Sequence, residues 1–225
     1  MKTIFLDIDD TLLDYEKGSE QALKKTCQQL DIGYSSATLA IYRQIDKMLW
    51  SKQKKGELTI EEVLRERARQ FLEQTQSSQP YQRFQTMFQQ HLGEEAVVIK
   101  GALEMLSYLQ QKGYGLYAAS NGILATQLKR LAKAQLLHFF DDTYVSDEIG
   151  YEKPDPEFFN ECLKRSGAAA EATFMLGDSL TADIHGAINA GLIPIWFNKH
   201  QRSRPADLPE LLELTKLEEL PKLGI

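Results

Sequence analysis

Two aspartates near the amino terminus carry carboxylates that could bind a metal ion. Asp7 and Asp9 follow a short apolar run that starts at Thr3. Residues two apart in an extended chain point to the same face, so we expect the two carboxylates to lie together and repel each other. A divalent cation would relieve that repulsion, and a site made only of oxygen ligands suits Mg²⁺. The alternative is that Asp9-Asp10-Thr11 forms only a turn, since aspartate is a common turn residue.

More polar residues follow the later predicted strands. Taken alone, three of them have an ordinary interpretation: Ser120 as a helix cap, Lys153 as a solvated lysine and Asp183 as a charge in the first turn of a helix. Together they are expected to meet, because open α/β sheets place ligands at the carboxyl ends of their strands. The residues are Ser120, Asn121, Lys153, Asp178 and Asp183.

The elements that position these residues are strands alternating with helices, which favours a parallel sheet with helices on both faces. Short β-branched or apolar runs predict the strands, and 3–4 spacing of apolar residues predicts the helices. The predicted strands are 3–8, 114–119, 143–146, 173–176, 193–197 and a weak one at 211–214. The predicted helices of this part are 101–112, 123–135, 156–166 and 181–190, with a terminal turn at 216–220.

Only helix periods occur between Lys17 and His91, and Thr59 with Glu62 forms a capping box. We therefore predict a helical insertion after the first strand. The domains are 1–14 with 95–225 for the α/β core and 15–94 for the insertion. Because the insertion follows the carboxyl end of the first strand, we expect it to cover the site.

Composition narrows the classes of function. The chain has 225 residues and a net charge of −6, which is unfavourable for sequence-independent binding of nucleic acid. Cys27 and Cys162 are expected to be reduced, buried thiols. No segment is suited to a signal peptide or a membrane span, so we expect a cytoplasmic protein without a membrane partner.

Four segments in this order resemble the four motifs of the haloacid dehalogenase superfamily, and the resemblance extends from Ile4 to Asn198. The segments are Asp7-Ile8-Asp9-Asp10-Thr11-Leu12, Ser120-Asn121, Lys153-Pro154, and Gly177-Asp178-Ser179 with Asp183. The resemblance implies a Rossmann-like parallel sheet with an inserted all-helical cap domain. It also implies a Mg²⁺-dependent phosphatase that forms an aspartyl-phosphate.

The resemblance implies a role for each residue. Asp7 is the expected nucleophile, and Asp9 is the expected acid and base. Ser120, Asn121 with its neighbouring backbone amides, and Lys153 are expected to hold the phosphate. The expected metal ligands are Asp7, Asp178 and the Asp9 backbone carbonyl. Asp183 and Thr11 are expected to contact the ligands and not the metal. The presence of Asp9 and Asp178 favours phosphate esters over carbon–halogen bonds as the substrate.

Longer segments, among them Lys55-Gly56-Glu57-Leu58-Thr59 and 146–154, resemble the bacterial pyrimidine 5′-nucleotidase branch (YjjG type). That branch implies hydrolysis of nucleoside 5′-monophosphates. Ser120 departs from the usual threonine but keeps the hydroxyl. Trp50 either packs in the core of the insertion or forms a wall near the nucleobase. Arg65, Arg67 and Arg69 are expected to form a solvated helix face.

Two alternative functions remain at the level of sequence. One is a phosphatase or mutase for sugar phosphates or other small phosphometabolites, built on the same core. The other is a non-catalytic phosphate-binding module, which would need neither Asp9 nor the insertion. For the assembly, either a monomer or a dimer is expected.

Overall fold

The computed structural model describes residues 2–225, so Met1 lies outside the described part. The chain divides into two compact units. The sheet unit consists of the residues up to Asp14 together with Val97–Ile225, and the helical insertion is Tyr15–Ala96. The second boundary lies between residues 96 and 97, whereas the sequence predicted it between 94 and 95.

Within residues 2–225, the sheet unit contains six parallel strands, which confirms the predicted α/β class. They are β1 Thr3–Leu6, β2 Gly115–Ser120, β3 Asp142–Val145, β4 Thr173–Gly177, β5 Ile193–Phe197 and β6 Leu212–Leu214. β1, β2 and β4 are buried along their length, as expected when helices cover both faces of a parallel sheet.

The spatial order of the strands is β3-β2-β1-β4-β5-β6, which puts β1 between β2 and β4. Leu6, the last residue of β1, is level with Ala118 of β2 and Leu176 of β4. The three strands therefore end close to one level. Ligands of such sheets bind beyond the carboxyl ends of the strands, where the strand order reverses. In this sheet the order reverses at β1, so the residues after β1, β2 and β4 share that edge.

Nine α-helices accompany the sheet in the described part of the chain. The helices of the insertion are α1 Tyr15–Gln29, α2 Ser36–Gln53, α3 Ile60–Gln74 and α4 Tyr81–Gly93. The helices of the sheet unit are α5 Ala102–Gln111, α6 Leu124–Lys133, α7 Ser146–Ile149, α8 Pro156–Ser166 and α9 Gly186–Asn189.

Alternate residues of β1 contact two different apolar clusters. Ile4 and Leu6 belong to the cluster that includes residues of α5 and α6, and Phe5 belongs to the cluster formed with α8 and α9. Since successive side chains of a strand point to opposite faces, each face of the sheet has its own core. The sheet is thus covered on both sides.

The helical insertion has a core of its own. Tyr42, Phe71, Phe84 and Phe88 are buried in it, and the rings of Phe71 and Phe84 lie 5.0 Å apart. Thr59 begins α3 with the predicted capping box: its hydroxyl accepts the N–H of the third helical residue, and its own N–H bonds that residue's carboxylate. The insertion therefore packs around residues that do not come from the sheet unit.

Arg67 contradicts the prediction of a solvated arginine face. Residues two apart on a helix are about 200° apart around its axis, so Arg67 cannot share a face with Arg65 and Arg69. Its side chain is only 1% exposed, and it donates a hydrogen bond of 2.8 Å to Asp46 Oδ1. The side chains of Arg65 and Arg69 are 42% and 55% exposed, in line with the prediction for these two. Arg67 is therefore part of the core of the insertion.

The predicted helix at 181–190 is only partly regular. Leu180–His185 forms a π-helix, whose hydrogen bonds span five residues, and α9 follows it. Such wide turns are frequent at functional sites. This one presents the buried Asp183, whose carboxylate accepts the Ser179 N–H at 2.9 Å. Apolar spacing does not reveal this local widening.

The two cysteines are free and buried, and they lie in different units. Burial raises the pKa of Cys27 to about 11 and that of Cys162 to about 12. Both thiols therefore resist ionisation and are poor nucleophiles.

Across residues 2–225, no helix combines the length and the apolar character that crossing a bilayer requires.

Replacing Arg67 by alanine should destabilise the insertion. The change removes the buried cation bound to Asp46, and breaking a buried pair in this way costs on the order of 3 kcal/mol. Urea unfolding followed by circular dichroism should show the loss. Arg69→Ala is the matched control on the same helix, and its exposed side chain should change the free energy of unfolding by less than about 0.5 kcal/mol. Equal effects of the two substitutions would contradict the assignment of Arg67 to the core.

Candidate active site

Lys153 is the centre of the candidate site. Its side chain is 2% exposed, and its ammonium group donates to Asp7 Oδ1 at 2.8 Å, to Asp183 Oδ1 at 2.6 Å and to the Ala119 carbonyl at 2.7 Å. These bonds match the three donors of an ammonium group. A buried charge is costly unless it is paired and hydrogen-bonded. The two carboxylates therefore stabilise the lysine in a place where it would otherwise be unfavourable.

Three aspartates form a cluster beside this lysine. Carboxylate oxygens of Asp7, Asp178 and Asp183 lie within 4.8 Å of one another. Asp7 and Asp183 are buried, Asp178 is half-buried, and the Thr11 hydroxyl donates to Asp7 Oδ2 at 3.2 Å. When all are ionised, three carboxylates face one ammonium. Among these groups negative charge is thus in excess, and the donor set is entirely oxygen, as Mg²⁺ prefers.

The electrostatics of the cluster follow from burial and from mutual charge. Burial raises the pKa of Asp7 well above its ordinary value; Lys153 opposes this shift, and the carboxylates of Asp183 and Asp178 add to it. Burial disfavours the charged form of Lys153, but Asp183 and Asp7 outweigh that effect and raise the pKa of its ammonium group. The lysine therefore carries its charge at neutral pH. Further positive charge near Asp7 would favour the ionised carboxylate.

Asn121 fixes the backbone that carries Lys153. Its side-chain Nδ2 donates to the Lys153 carbonyl at 2.8 Å, and its Oδ1 accepts the Lys153 N–H at 2.8 Å. The sequence predicted Asn121 as a phosphate contact. Its side chain is bonded to the Lys153 backbone, which leaves the predicted contact through the nearby backbone N–H groups as a prediction.

The backbone N–H of Gly122 has a partner within the protein. It donates to the hydroxyl of Ser146 at 3.0 Å. Ser146 begins α7, whereas the sequence predicted it as the last residue of a strand. The phosphate contact predicted for backbone amides near Asn121 and Gly122 stays a prediction.

The carboxylate of Asp9 has partners different from those of Asp7. Its Oδ1 accepts from Arg130 at 2.5 Å, and its Oδ2 accepts from Gln127 at 2.8 Å. The same Gln127 amide nitrogen donates to the Ser120 hydroxyl at 2.9 Å. Sequence reasoning missed Gln127 and Arg130. The available signal was their spacing of three on α6, which puts two polar side chains on one side of the helix.

Within the first motif, the predicted turn is found at Asp10. This residue has a left-handed backbone with φ of 61°, and its carboxylate pairs with Lys199 at 2.9 Å. Aspartate tolerates this conformation in turns. Asp7 and Asp9, on either side of Ile8, are instead bonded to buried cations. The first motif thus combines a turn with two separately held carboxylates.

Trp50 lies half-buried against the core of the insertion. Its indole N–H donates to Asp46 Oδ1 at 3.2 Å, and this oxygen also accepts from Arg67. A tryptophan with its polar atom bonded and its ring partly exposed can both pack and offer a surface. Both interpretations of Trp50 are compatible with these contacts.

The sequence matches the model of one known family. The match covers residues 1–191, and the family is described as haloacid dehalogenase-like hydrolases. This chain belongs to that family. The resemblance inferred from the four motifs is thereby confirmed, and the protein is a hydrolase.

Individual relatives of this hydrolase agree with the family match. It is 34% identical to the HAD-hydrolase YfnB of Bacillus subtilis over 97% of this chain and 93% of the relative. A crystal structure of YfnB bound to magnesium has a TM-score of 0.91 to this structure, covering 99% and 97% of the two chains. The pyrimidine 5′-nucleotidase PynA of Streptococcus pneumoniae is 31% identical, with coverages of 88% and 84%. The glyceraldehyde 3-phosphate phosphatase of Methanothermobacter thermautotrophicus is 29% identical, with coverages of 99% and 98%.

Replacing Gly177 by alanine should disturb the cluster. Gly177 ends β4, and an added Cβ would overlap the carboxylate of the buried Asp183. Since overpacking costs about 1–3 kcal/mol, the melting temperature of the hydrolase should fall by about 3–10 °C. Gly33→Ala is the control, because its added methyl would meet open space. An unchanged melting temperature for Gly177→Ala would show that Asp183 is not held against this strand.

Proposed function

We propose that this hydrolase is a Mg²⁺-dependent phosphatase that acts on nucleoside 5′-monophosphates through an aspartyl-phosphate. The observation that carries the proposal is the position of Asp7. Its carboxylate follows the central strand, bonds a buried ammonium group and lies beside two further carboxylates. This arrangement supports Asp7 as the nucleophile, because phosphoryl transfer needs mainly positioning and charge neutralisation.

The proposed reaction has two displacements at phosphorus. In the first, an Asp7 oxygen bonds to phosphorus as the ester P–O bond breaks, and Asp9 gives its proton to the departing alcohol oxygen. In the second, water attacks phosphorus and gives a proton to the Asp9 carboxylate. The bond from Asp7 to phosphorus then breaks and releases inorganic phosphate. Asp7 and Asp9 are both restored.

Three groups are proposed to hold the phosphoryl oxygens: the Ser120 hydroxyl, the Lys153 ammonium and the Asn121 backbone N–H. Ser120 is buried at the end of β2. The three donors of the Lys153 ammonium bond Asp7, Asp183 and the Ala119 carbonyl, so Lys153 exchanges one of these bonds when it donates to a phosphoryl oxygen.

The residues present fit a magnesium ion. We propose Asp7, Asp178 and the Asp9 carbonyl as its ligands, because the donor set is all oxygen and the cluster carries excess negative charge. Asp183 accepts hydrogen bonds from Lys153 and from the Ser179 N–H, so we propose that it holds Lys153 in place and does not bind the metal itself. When bound, Mg²⁺ neutralises charge on the transferring phosphoryl group. The magnesium-bound structure of the relative YfnB supports this proposal.

The nucleotide substrate is proposed from the likeness to PynA. A second candidate is a sugar phosphate or related small phosphoester, because a glyceraldehyde 3-phosphate phosphatase is similar over nearly the whole chain. Both candidates use the same proposed chemistry and differ only in the leaving group. A comparison of substrates therefore separates them.

Purified protein with Mg²⁺ should release phosphate from nucleoside 5′-monophosphates with a higher kcat/KM than from sugar phosphates. A chelator should abolish the activity, and added Mg²⁺ should restore it. Asp7→Asn should lower kcat by at least about 10³-fold, because the amide is a poor nucleophile and a weak metal ligand. A colorimetric phosphate assay measures all of these rates.

The outcomes of this assay are distinct. Phosphate release at the wild-type rate from folded Asp7→Asn would contradict the nucleophile. Full activity in excess chelator would contradict the metal site. Higher kcat/KM for sugar phosphates would replace the nucleotide substrate with the second candidate and leave the proposed chemistry intact.

Trp50→Ala should lower kcat/KM for nucleotides about tenfold or more if the indole contacts the base, since stacking of a base on an aromatic ring contributes ~1–3 kcal/mol. A small alkyl phosphate, which lacks a base, should be affected much less. Trp50→Phe is the matched control: it keeps an aromatic ring for stacking, although a smaller one, and loses the bond to Asp46. It should retain most of the nucleotide activity. An equal loss on both substrates with a lower melting temperature would assign Trp50 to packing alone.

A further inference from the structure

Two buried side chains of α6 hold the carboxylate of Asp9. Arg130 and Gln127 are 1% and 3% exposed, whereas the side chain of Asp9 is 28% exposed. Each oxygen of the carboxylate accepts one bond, Oδ1 from Arg130 and Oδ2 from Gln127. A third bond of 2.8 Å, from Arg130 to Gln127 Oε1, links the two side chains to each other. Both oxygens of the Asp9 carboxylate are thus hydrogen-bonded by two side chains that are also bonded to each other.

The orientation of the Gln127 amide follows from these contacts. Its oxygen accepts from Arg130, and its nitrogen donates to Asp9 Oδ2 and to the Ser120 hydroxyl. An amide NH₂ has two hydrogens, so one is available for each acceptor. The reversed amide would put an oxygen against a carboxylate oxygen. Gln127 therefore links Asp9 to Ser120 in one defined arrangement.

We propose that Gln127 and Arg130 are positioning residues for Asp9. They hold its carboxylate at a fixed place relative to Ser120, so that it can exchange a proton with the oxygen bonded to phosphorus. This inference rests on the proposed function, in which Asp9 is the acid and base and Ser120 contacts the phosphate. It concerns geometry: proton transfer requires the two heavy atoms to be within about 2.6–3.2 Å of each other.

The donor arrangement leaves room for that exchange. A carboxylate offers about four lone-pair sites, and one bond to each oxygen leaves a further site on both. Asp9 lies after the end of β1, in a segment whose next residue forms a turn. The backbone of this segment is held by its own hydrogen bonds, from the Asp10 N–H to the Leu13 carbonyl and from the Leu12 N–H to the Ile8 carbonyl. Backbone bonds do not set the direction of the side chain, so the two buried donors on α6 are what fix the Asp9 carboxylate.

The experiment measures kcat/KM for aryl and alkyl phosphates whose leaving groups differ in basicity. This ratio reports the steps up to departure of the alcohol, so it depends on proton donation most strongly for basic leaving groups. Gln127→Met keeps the volume of the side chain and removes its polar atoms. It should lower kcat/KM about tenfold or more for alkyl phosphates and much less for activated aryl phosphates, a fraction of the ~10²–10⁴ that an acid can contribute.

A double-variant cycle shows whether Gln127 acts through Asp9. Asp9→Asn alone shows the effect of losing the acid. Its kcat/KM should depend more steeply on leaving-group basicity than that of any other variant. In that background, Gln127→Met should have little further effect, because the two changes remove one function. Arg130→Lys, which keeps a cation, should retain more activity on alkyl phosphates than Arg130→Met. Lys129→Met, on the same helix but exposed, should leave every rate unchanged.

The results separate positioning from a structural role. A uniform loss across all leaving groups, or additive effects of Gln127→Met and Asp9→Asn, would overturn the positioning role and leave the proposed function intact. If Asp9→Asn itself shows no dependence on the leaving group, the acid role of Asp9 falls, and the positioning role falls with it. If the Arg130 variants do not fold, the Gln127 series alone decides.

Discussion

A buried ammonium group and the acids around it have to be present together. Lys153 would be unfavourable in the sheet unit without Asp7 and Asp183, and these two carboxylates would repel each other without Lys153. The four-atom arrangement of Lys153, its two carboxylates and the Ala119 carbonyl ties together the segments after β1 and β3, the end of β2 and the turn before α9. Loss of Lys153 would leave both buried carboxylates without their cation, which is more costly than the pairing is stabilising.

The fold supplies the few conditions that this arrangement needs. Parallel register brings the ends of β1, β2 and β4 to one level. Gly177 has no side chain where the Asp183 carboxylate lies, and Asn121 fixes the backbone of Lys153. All of these residues belong to the sheet unit, while the insertion has a separate core built around aromatic rings and Arg67. We infer that the proposed chemistry and the proposed substrate selectivity reside in different units and can vary separately.

The sequence was sufficient for the features that depend on local pattern. The six strands, the capping box at Thr59 and the meeting of Asp7, Lys153 and Asp178 beyond the strand ends follow from periodicity and from the rule on strand ends. It was insufficient where a side chain's direction depends on distant partners. The partners of Asp9 lie about 120 residues away on α6. The burial of Arg67 depends likewise on contacts that local pattern does not show.

The most direct measurement is the stereochemistry at phosphorus. A phosphorothioate monoester made chiral with oxygen isotopes would be hydrolysed by the Mg²⁺-loaded protein in isotopically labelled water, and the configuration of the released thiophosphate determined. Two successive in-line displacements, first by Asp7 and then by water, should give overall retention. Overall inversion would mean that water attacks the ester directly, and it would contradict the assignment of Asp7 as the nucleophile.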